Sequence, residues 1–216
     1  MTTGDTKERI LDAAETLFAE KGFAGTSLRT ITRAAGVNLA AVNYHFGSKE
    51  ALIDAVYARR LEPLNRERLA RLDACEAETG EAAPPLERIL EAFVGPPLRL
   101  SRNPAGGQHC MRLLGRLYTE PDERLRAFIF EQFAEIKRRF GAAFQRALPH
   151  LPAAELFWRM HFVIGALAQT MADPQRLEVL SGGLCDPHDV EGTLDRLIPF
   201  LAAGLRAAAP APEGSA

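Results

Sequence analysis

Apolar residues recur along this chain at helical spacing, and no stretch of useful length alternates apolar and polar side chains as a strand on a core does. From Lys7 to Lys21, the residues Ile10, Leu11, Ala14, Leu17 and Phe18 form one stripe along a helix of about four turns. Gly22 follows as a left-handed stop. Thr26 or Ser27 caps a short second helix with Leu28, Ile31 and Ala35 inward, and Gly36 ends it. Asn38 caps a third helix, Leu39–His45, and Phe46-Gly47-Ser48 turns into a long fourth over about Lys49–Glu76. Pro63 lies inside that span, and a kink is expected there. Glu78–Pro85 reads as a linker, Leu86–Val94 as a helix broken by Gly95-Pro96-Pro97, and Asn103–Gly107 as a loop. Further helices are expected over Gln108–Thr119, Asp122–Leu148, Ala153–Ala172 and Asp189–Ala208, with Pro121, Pro152 and Pro187 marking starts. The expected class is all-α with about nine helices.

Composition narrows the function classes. With 47% hydrophobic and 25% charged residues over 216 positions, the chain is an ordinary globular protein, not a disordered or disulfide-stapled one. Cys75, Cys110 and Cys185 are scattered, which fits reduced thiols in a cytoplasm. Cys110 beside His109 and Cys185 near His188 lack further ligands at defined spacing, so no metal site is expected. The uncharged run Met160–Ala172 is too short to span a bilayer, and the mixed-charge N-terminus is not a signal peptide. No nucleophile, phosphate-loop, zinc-protease or dinucleotide motif occurs, so neither an enzyme nor a cofactor is expected.

The segment Thr26–Lys49, TSLRTITRAAGVNLAAVNYHFGSK, carries the most information. Two short helices joined by a glycine turn make a helix-turn-helix. A helix lying in a DNA major groove needs small residues for close approach and polar tips for bases and phosphates. Leu39, Ala40, Asn43, Tyr44 and His45 meet that need; Asn43 can pair with adenine. Between Lys21 and Lys49 stand four basic residues (Lys21, Arg29, Arg33, Lys49) and no carboxylate, in a chain of net charge −2. That local excess suits a polyanion. Thr26, Ser27, Arg29, Arg33 and Lys49 complete the candidate contact set, and the free N–H groups at Ser48-Lys49 suit a phosphate.

With AEKGFAGTSLRTIT followed by AAGVNLAAVNYHFGSKEAL, the first ~60 residues resemble the DNA-binding domain of the TetR family of bacterial repressors. The resemblance implies a DNA-binding domain over residues 1–48 and an effector-binding and dimerisation domain over 49–208, with helix 49–76 connecting them. Residues 209–216, APAPEGSA, read as a disordered tail. It also implies that the third helix reads the groove, that Lys49 meets phosphate, and that a dimer reads an inverted-repeat operator. The segments MRLLGRLY (Met111–Tyr118), ELFWRMHFVIGALA (Glu155–Ala168) and PFLAAGLRA (Pro199–Ala207) resemble the PsrA-type regulators, which implies a long-chain fatty acid or acyl-CoA as effector.

Of 16 aromatic residues, nine lie between positions 118 and 162. Phe133, Phe140 and Phe144 fall on one side of the expected helix Asp122–Leu148. With Met111, Leu114, Tyr118, Phe157 and Met160 they line an apolar ligand cavity or simply form the domain core. His161 serves either as a core or interface histidine or as partner to a carboxylate. A CoA thioester needs cations at a pocket mouth, for which Arg112, Arg116, Arg124, Arg126, Lys137, Arg138 and Arg139 are candidates. The last two helices carry the stripe Val190, Leu194, Leu197, Leu201, Leu205 and small residues such as Gly165 and Gly204, which suits a four-helix dimer bundle. A drug-like amphipath as effector, and a helical lipid carrier or lipid-modifying enzyme without a DNA role, are the alternative readings.

Overall fold

The computed structural model describes residues 3–103, 107–119 and 122–209. Among these it is all-α, with eleven helices where periodicity predicts about nine: α1 (Thr3–Lys21), α2 (Leu28–Ala35), α3 (Leu39–Phe46), α4 (Lys49–Thr79), α5 (Leu86–Ser101), α6 (Gly107–Thr119), α7 (Glu123–Gln132), α8 (Ala134–Ala147), α9 (Ala153–Ala172), α10 (Pro174–Leu180) and α11 (Val190–Arg206). The tail 210–216 and Pro121 lie outside the described residues.

Three departures from the expected pattern have physical causes. The expected helix Asp122–Leu148 is two helices, because Phe133 leaves helical geometry and its N–H bonds back to Phe130 O at 3.2 Å. Neither glycine nor proline marks that break, so the apolar spacing runs across it. Gly95-Pro96-Pro97 does not break α5. The two prolines remove the N–H groups that would bond to the carbonyls of Ala92 and Phe93. Phe93 O is supplied instead by Arg68 Nε at 2.9 Å. At Gly95 a Cβ would meet Arg99 Nη1 and Glu91 Oε1, each 2.7 Å away, so glycine leaves room for the Arg99–Glu91 ion pair to pass. Finally, α10 has no counterpart among the expected helices; Asp173 caps it through the Arg176 N–H at 3.1 Å, and Pro174 opens it.

The chain forms two compact units: Met1–Leu64 with Asn103–Ala134, and Asn65–Arg102 with Glu135–Ala216. The boundary between these units falls inside α4, just past Pro63, because α6 and α7 join the N-terminal helices.

The first unit is built on Ile10, Leu11, Ala14 and Phe18 of α1, Ile31 of α2, Val42 of α3 and Leu52, Val56 and Leu61 of α4, all nearly inaccessible. Leu113, Leu125 and Ile129 of α6 and α7 close it. Tyr57 donates to Leu113 O at 2.8 Å, tying α4 to α6. Glu15, 2% exposed, accepts from Arg59 and Arg60 of α4, with Arg60 Nε at 2.9 Å. In the second unit Phe93 of α5 packs on Phe140 and Phe144 of α8, with ring centroids 5.1 and 6.1 Å apart.

Glu15→Ala leaves two partly buried guanidinium groups without their shared anion. The expected loss is about 2–3 kcal/mol, below the cost of breaking a fully buried pair because both arginines keep some solvent. Urea unfolding followed by circular dichroism checks it; an unchanged midpoint contradicts this role for Glu15.

Candidate nucleic-acid interface

The helix-turn-helix is set by caps that the sequence supplies locally. Ser27 Oγ accepts from Thr30 N–H at 3.2 Å at the start of α2. Gly36 ends α2 in the left-handed region (φ 61°), where a side chain is strained. Asn38 Oδ1 accepts from Ala41 N–H at 2.9 Å and starts α3. Gly47 N–H bonds to Asn43 O at 3.0 Å, and Ser48 Oγ accepts from Ala51 N–H at 3.0 Å to start α4. The Glu50 carboxyl is held below its usual range by a backbone hydrogen bond and by the Ser48 hydroxyl, so this helix start already holds one anion.

Val42 faces the core with no accessible surface, which fixes which side of α3 points out. On that outer side Tyr44 is 79% exposed, Leu39 is 40% exposed, and Ala40 and Asn43 are exposed. His45 is half-buried, its ring edge-on to Tyr44 at 5.1 Å. Ser27, Arg29 and Arg33 are exposed. Thr26 is a correction. It is 1% exposed, and its hydroxyl donates to Gly22 O (2.8 Å) and Leu17 O (3.2 Å), so its side chain holds the turn after α1 and is closed to an external partner. Lys49 is half-buried, and its ammonium donates to Phe23 O in that same turn, with two N–H donors left. Sequence reasoning missed Arg9, which donates to Ala35 O and to Gly36 O (3.0 Å) and so closes the end of α2. No sequence signal marks it, because its partner lies 26 residues away.

Residues 10–56 match the family model described as bacterial regulatory proteins, tetR family, and residues 91–204 match the tetracyclin repressor-like C-terminal domain. The chain belongs to the TetR family. The probable HTH-type transcriptional regulator YttP of Bacillus subtilis is 45% identical over 49 residues, which are 23% of this chain and 24% of that protein. The matches to the first curated relatives span 24% to 32% of their length. The fatty acid degradation regulator FadR from Bacillus halodurans shares the fold, with a TM-score of 0.67 at 16% identity over 95% of this chain and 99% of that one. NalD of Pseudomonas aeruginosa, the secondary repressor of the MexAB-OprM multidrug efflux pump, does so with a TM-score of 0.57 at 24% identity over 94% and 97%.

The residues expected to line one ligand cavity are divided between the two units. Leu114 and Phe133 pack, half-buried, against the core of the first unit. Phe140 and Phe144 are in the core of the second. The break at Phe133 interrupts the seven-residue spacing to Phe140, which needs one continuous helix to put both on one side. Phe157 is 64% exposed and His161 is exposed, both on the outer side of α9, and Met111 and Met160 are half-buried. The side chain of Tyr118 lies outside the described residues. Of the candidate headgroup cations, Arg124 pairs with Asp54, Arg138 with Glu135, and Arg139 with Asp73 and Glu76, while Lys137 sits over the Phe157 ring. The side chain of Arg116 lies outside the described residues. The Cys110 thiol is pushed up to about 11 by burial, which keeps it protonated and unreactive at neutral pH. Among the described residues no helix is long and apolar enough to cross a membrane.

Gly36→Ala puts a Cβ 2.8 Å from Arg9 Nη2 and forces a left-handed alanine. A loss of about 1–2 kcal/mol is expected from the backbone strain alone, read as a lower Tm. An unchanged Tm contradicts this account of the turn.

Proposed function

We propose that this chain is a DNA-binding repressor of the TetR type, released from its operator by an apolar effector. One observation carries the reading: α3 is capped at both ends, anchored by Val42, and presents Asn43 and Tyr44 outward in a segment free of carboxylates. Leu39 and Ala40 allow close approach, Asn43 pairs with a base edge, and Tyr44 and His45 reach phosphate or thymine methyl groups. Ser27, Arg29, Arg33 and Lys49 contact the flanking backbone.

The operator is an inverted repeat read by a homodimer. What supports a dimer is the outer face of α9 and α11. Phe157, Trp158, Phe162 and Phe200 are each more than 60% exposed, and Gly165 and Gly204 have open space at their Cβ positions. Apolar area of this kind on a lone chain is costly in water. The effector is a long-chain fatty acid or its CoA thioester; the fold likeness to FadR and the resemblance of three C-terminal segments to PsrA-type regulators support this. The fold likeness to NalD supports a drug-like amphipath as the second reading.

Fluorescence anisotropy on DNA from the region upstream of its own gene, at fixed salt, tests the repressor. Tight binding lost on adding micromolar long-chain fatty acid or acyl-CoA is the expected result. Binding indifferent to all of them removes the lipid effector, and the absence of specific binding in random-site selection removes the repressor. Lys49→Gln is expected to weaken binding to all sequences alike and to lower the salt slope by about one; an unchanged slope takes Lys49 off the contact list. Trp158→Asp is expected to shift the protein to monomer in sedimentation velocity. A persistent dimer moves the interface elsewhere.

A further inference from the structure

Between α9 and α11 the chain makes an excursion, all of it within the second unit. Arg102, at the end of α5, holds both of its feet. Nη2 and Nη1 donate to Thr170 O (2.9 Å) and Met171 O (3.4 Å) on the outgoing side, and Nε donates to Pro187 O (3.2 Å) on the return. Hydrogen bonds internal to the excursion set its shape. Asp173 caps α10, Gly183 N–H bonds to Glu178 O at 2.9 Å, and Cys185 N–H bonds to Ser181 Oγ at 3.1 Å. Yet none of the seven residues of α10 is buried. Leu184 is 91% exposed, Val179 78% and Leu180 74%, and Leu177 is exposed as well. So short a helix has little stability of its own in water, and four bare apolar side chains on this arm call for a cover.

Four side chains are too few for a stable interface of their own, which takes about 20–30 residues a side. The arm is therefore part of a larger surface, and such a surface adjoins it. Trp158, Phe162, Gly165, Gln169 and Ala172 are all exposed, at steps of four, three, four and three residues. They form one stripe along α9 that leads into Asp173 and Pro174. The stripe is aromatic in its first half and carries Gly165 and Ala172 in its second. A two-fold axis across α9 sets the aromatic half of one copy against the small half of the other. Parallel packing sets aromatic on aromatic and small on small, which leaves gaps. The 20 residues of α9 span about 30 Å, so antiparallel overlap carries each α10 to the aromatic end of the other copy.

We propose that, in an antiparallel two-fold dimer, the α10 arm of one protomer lies on Phe157 and Trp158 of the partner subunit. This rests on the dimer reading above and names the contact that completes it. Each arm covers the aromatic end that its partner leaves bare, and each gains a cover for Leu177, Val179, Leu180 and Leu184. The Arg102 clamp fixes where the arm leaves the body, so the two arms hold the α9 pair in one register.

Trp158 is the only tryptophan, and of the three cysteines Cys185 alone is exposed, so the chain carries its own probe pair. A tagged Trp158→Phe protein, labelled on Cys185 with a nitroxide maleimide, is mixed with unlabelled, untagged parent, and the mixed dimers are captured by the tag. All their tryptophan emission then comes from Trp158 of the unlabelled chain, and the nitroxide sits on the other chain. The expected result is a loss of that emission, restored when ascorbate reduces the nitroxide. Mixed dimers whose emission ascorbate does not change overturn the arm contact and spare the dimer. Parent protein that sediments as monomer overturns both. A second measurement needs no mixing. Leu180→Asp with Leu184→Asp alters only exposed positions, and it is expected to shift Trp158 emission to the red and weaken the dimer by ~10-fold or more, since a carboxylate is costly in an apolar contact. An unmoved emission maximum with an unchanged dimer dissociation constant overturns the proposal.

Discussion

Each helix end leaves carbonyls that no intrahelical N–H can reach, and in this protein cationic side chains from distant segments take them. Arg9 closes α2 at Ala35 and Gly36, Lys49 closes the turn after α1 at Phe23, Arg102 closes α9 at Thr170, and Arg159 closes α11 at the carbonyls of Gly204, Leu205, Ala207 and Ala208. Arg68 does the same in mid-helix, where Pro97 orphans Phe93 O. Charge-assisted bonds of this kind are stronger than neutral ones and favour the negative end of a helix dipole. The short helices on which function is proposed to rest, α2 and α3, have eight residues each. Isolated helices of that length are marginal in water. They persist because caps hold their ends and one side is buried.

That capping logic fixes the direction of α3. Asn38 starts it, Gly47 ends it, and Val42 turns its inner side to the core, so Leu39, Ala40, Asn43 and Tyr44 are left outside. The same burial takes Thr26 out of the candidate surface. Reading and holding are thus split between neighbouring residues of one short segment. The buried Glu15 between Arg59 and Arg60 then ties α4 to α1, which makes the first part of α4 one body with the helix-turn-helix.

Local chemistry was the legible part of the chain. Caps and stops act within four residues, so the boundaries of α2 and α3 follow from Ser27, Gly36, Asn38, Gly47 and Ser48, and Pro152 marks the start of α9. Prolines and long apolar stripes misled where a partner far along the chain decided the outcome. Arg68 and the Arg99–Glu91 pair accompany α5 through Gly95-Pro96-Pro97, and the break at Phe133 carries no breaker residue.

The sequence by itself determined the all-α class, the helix-turn-helix and its outward polar tips, because these rest on periodicity and on bonds that close within one turn. The tertiary structure alone decided which partner each buried arginine meets. A guanidinium reaches across tens of residues of sequence, and its meaning depends on whether an acceptor is waiting there. Arg159 finds Glu155 and the end of α11; Arg68 finds one carbonyl and a phenyl face. In the sequence, both are simply arginines on helices.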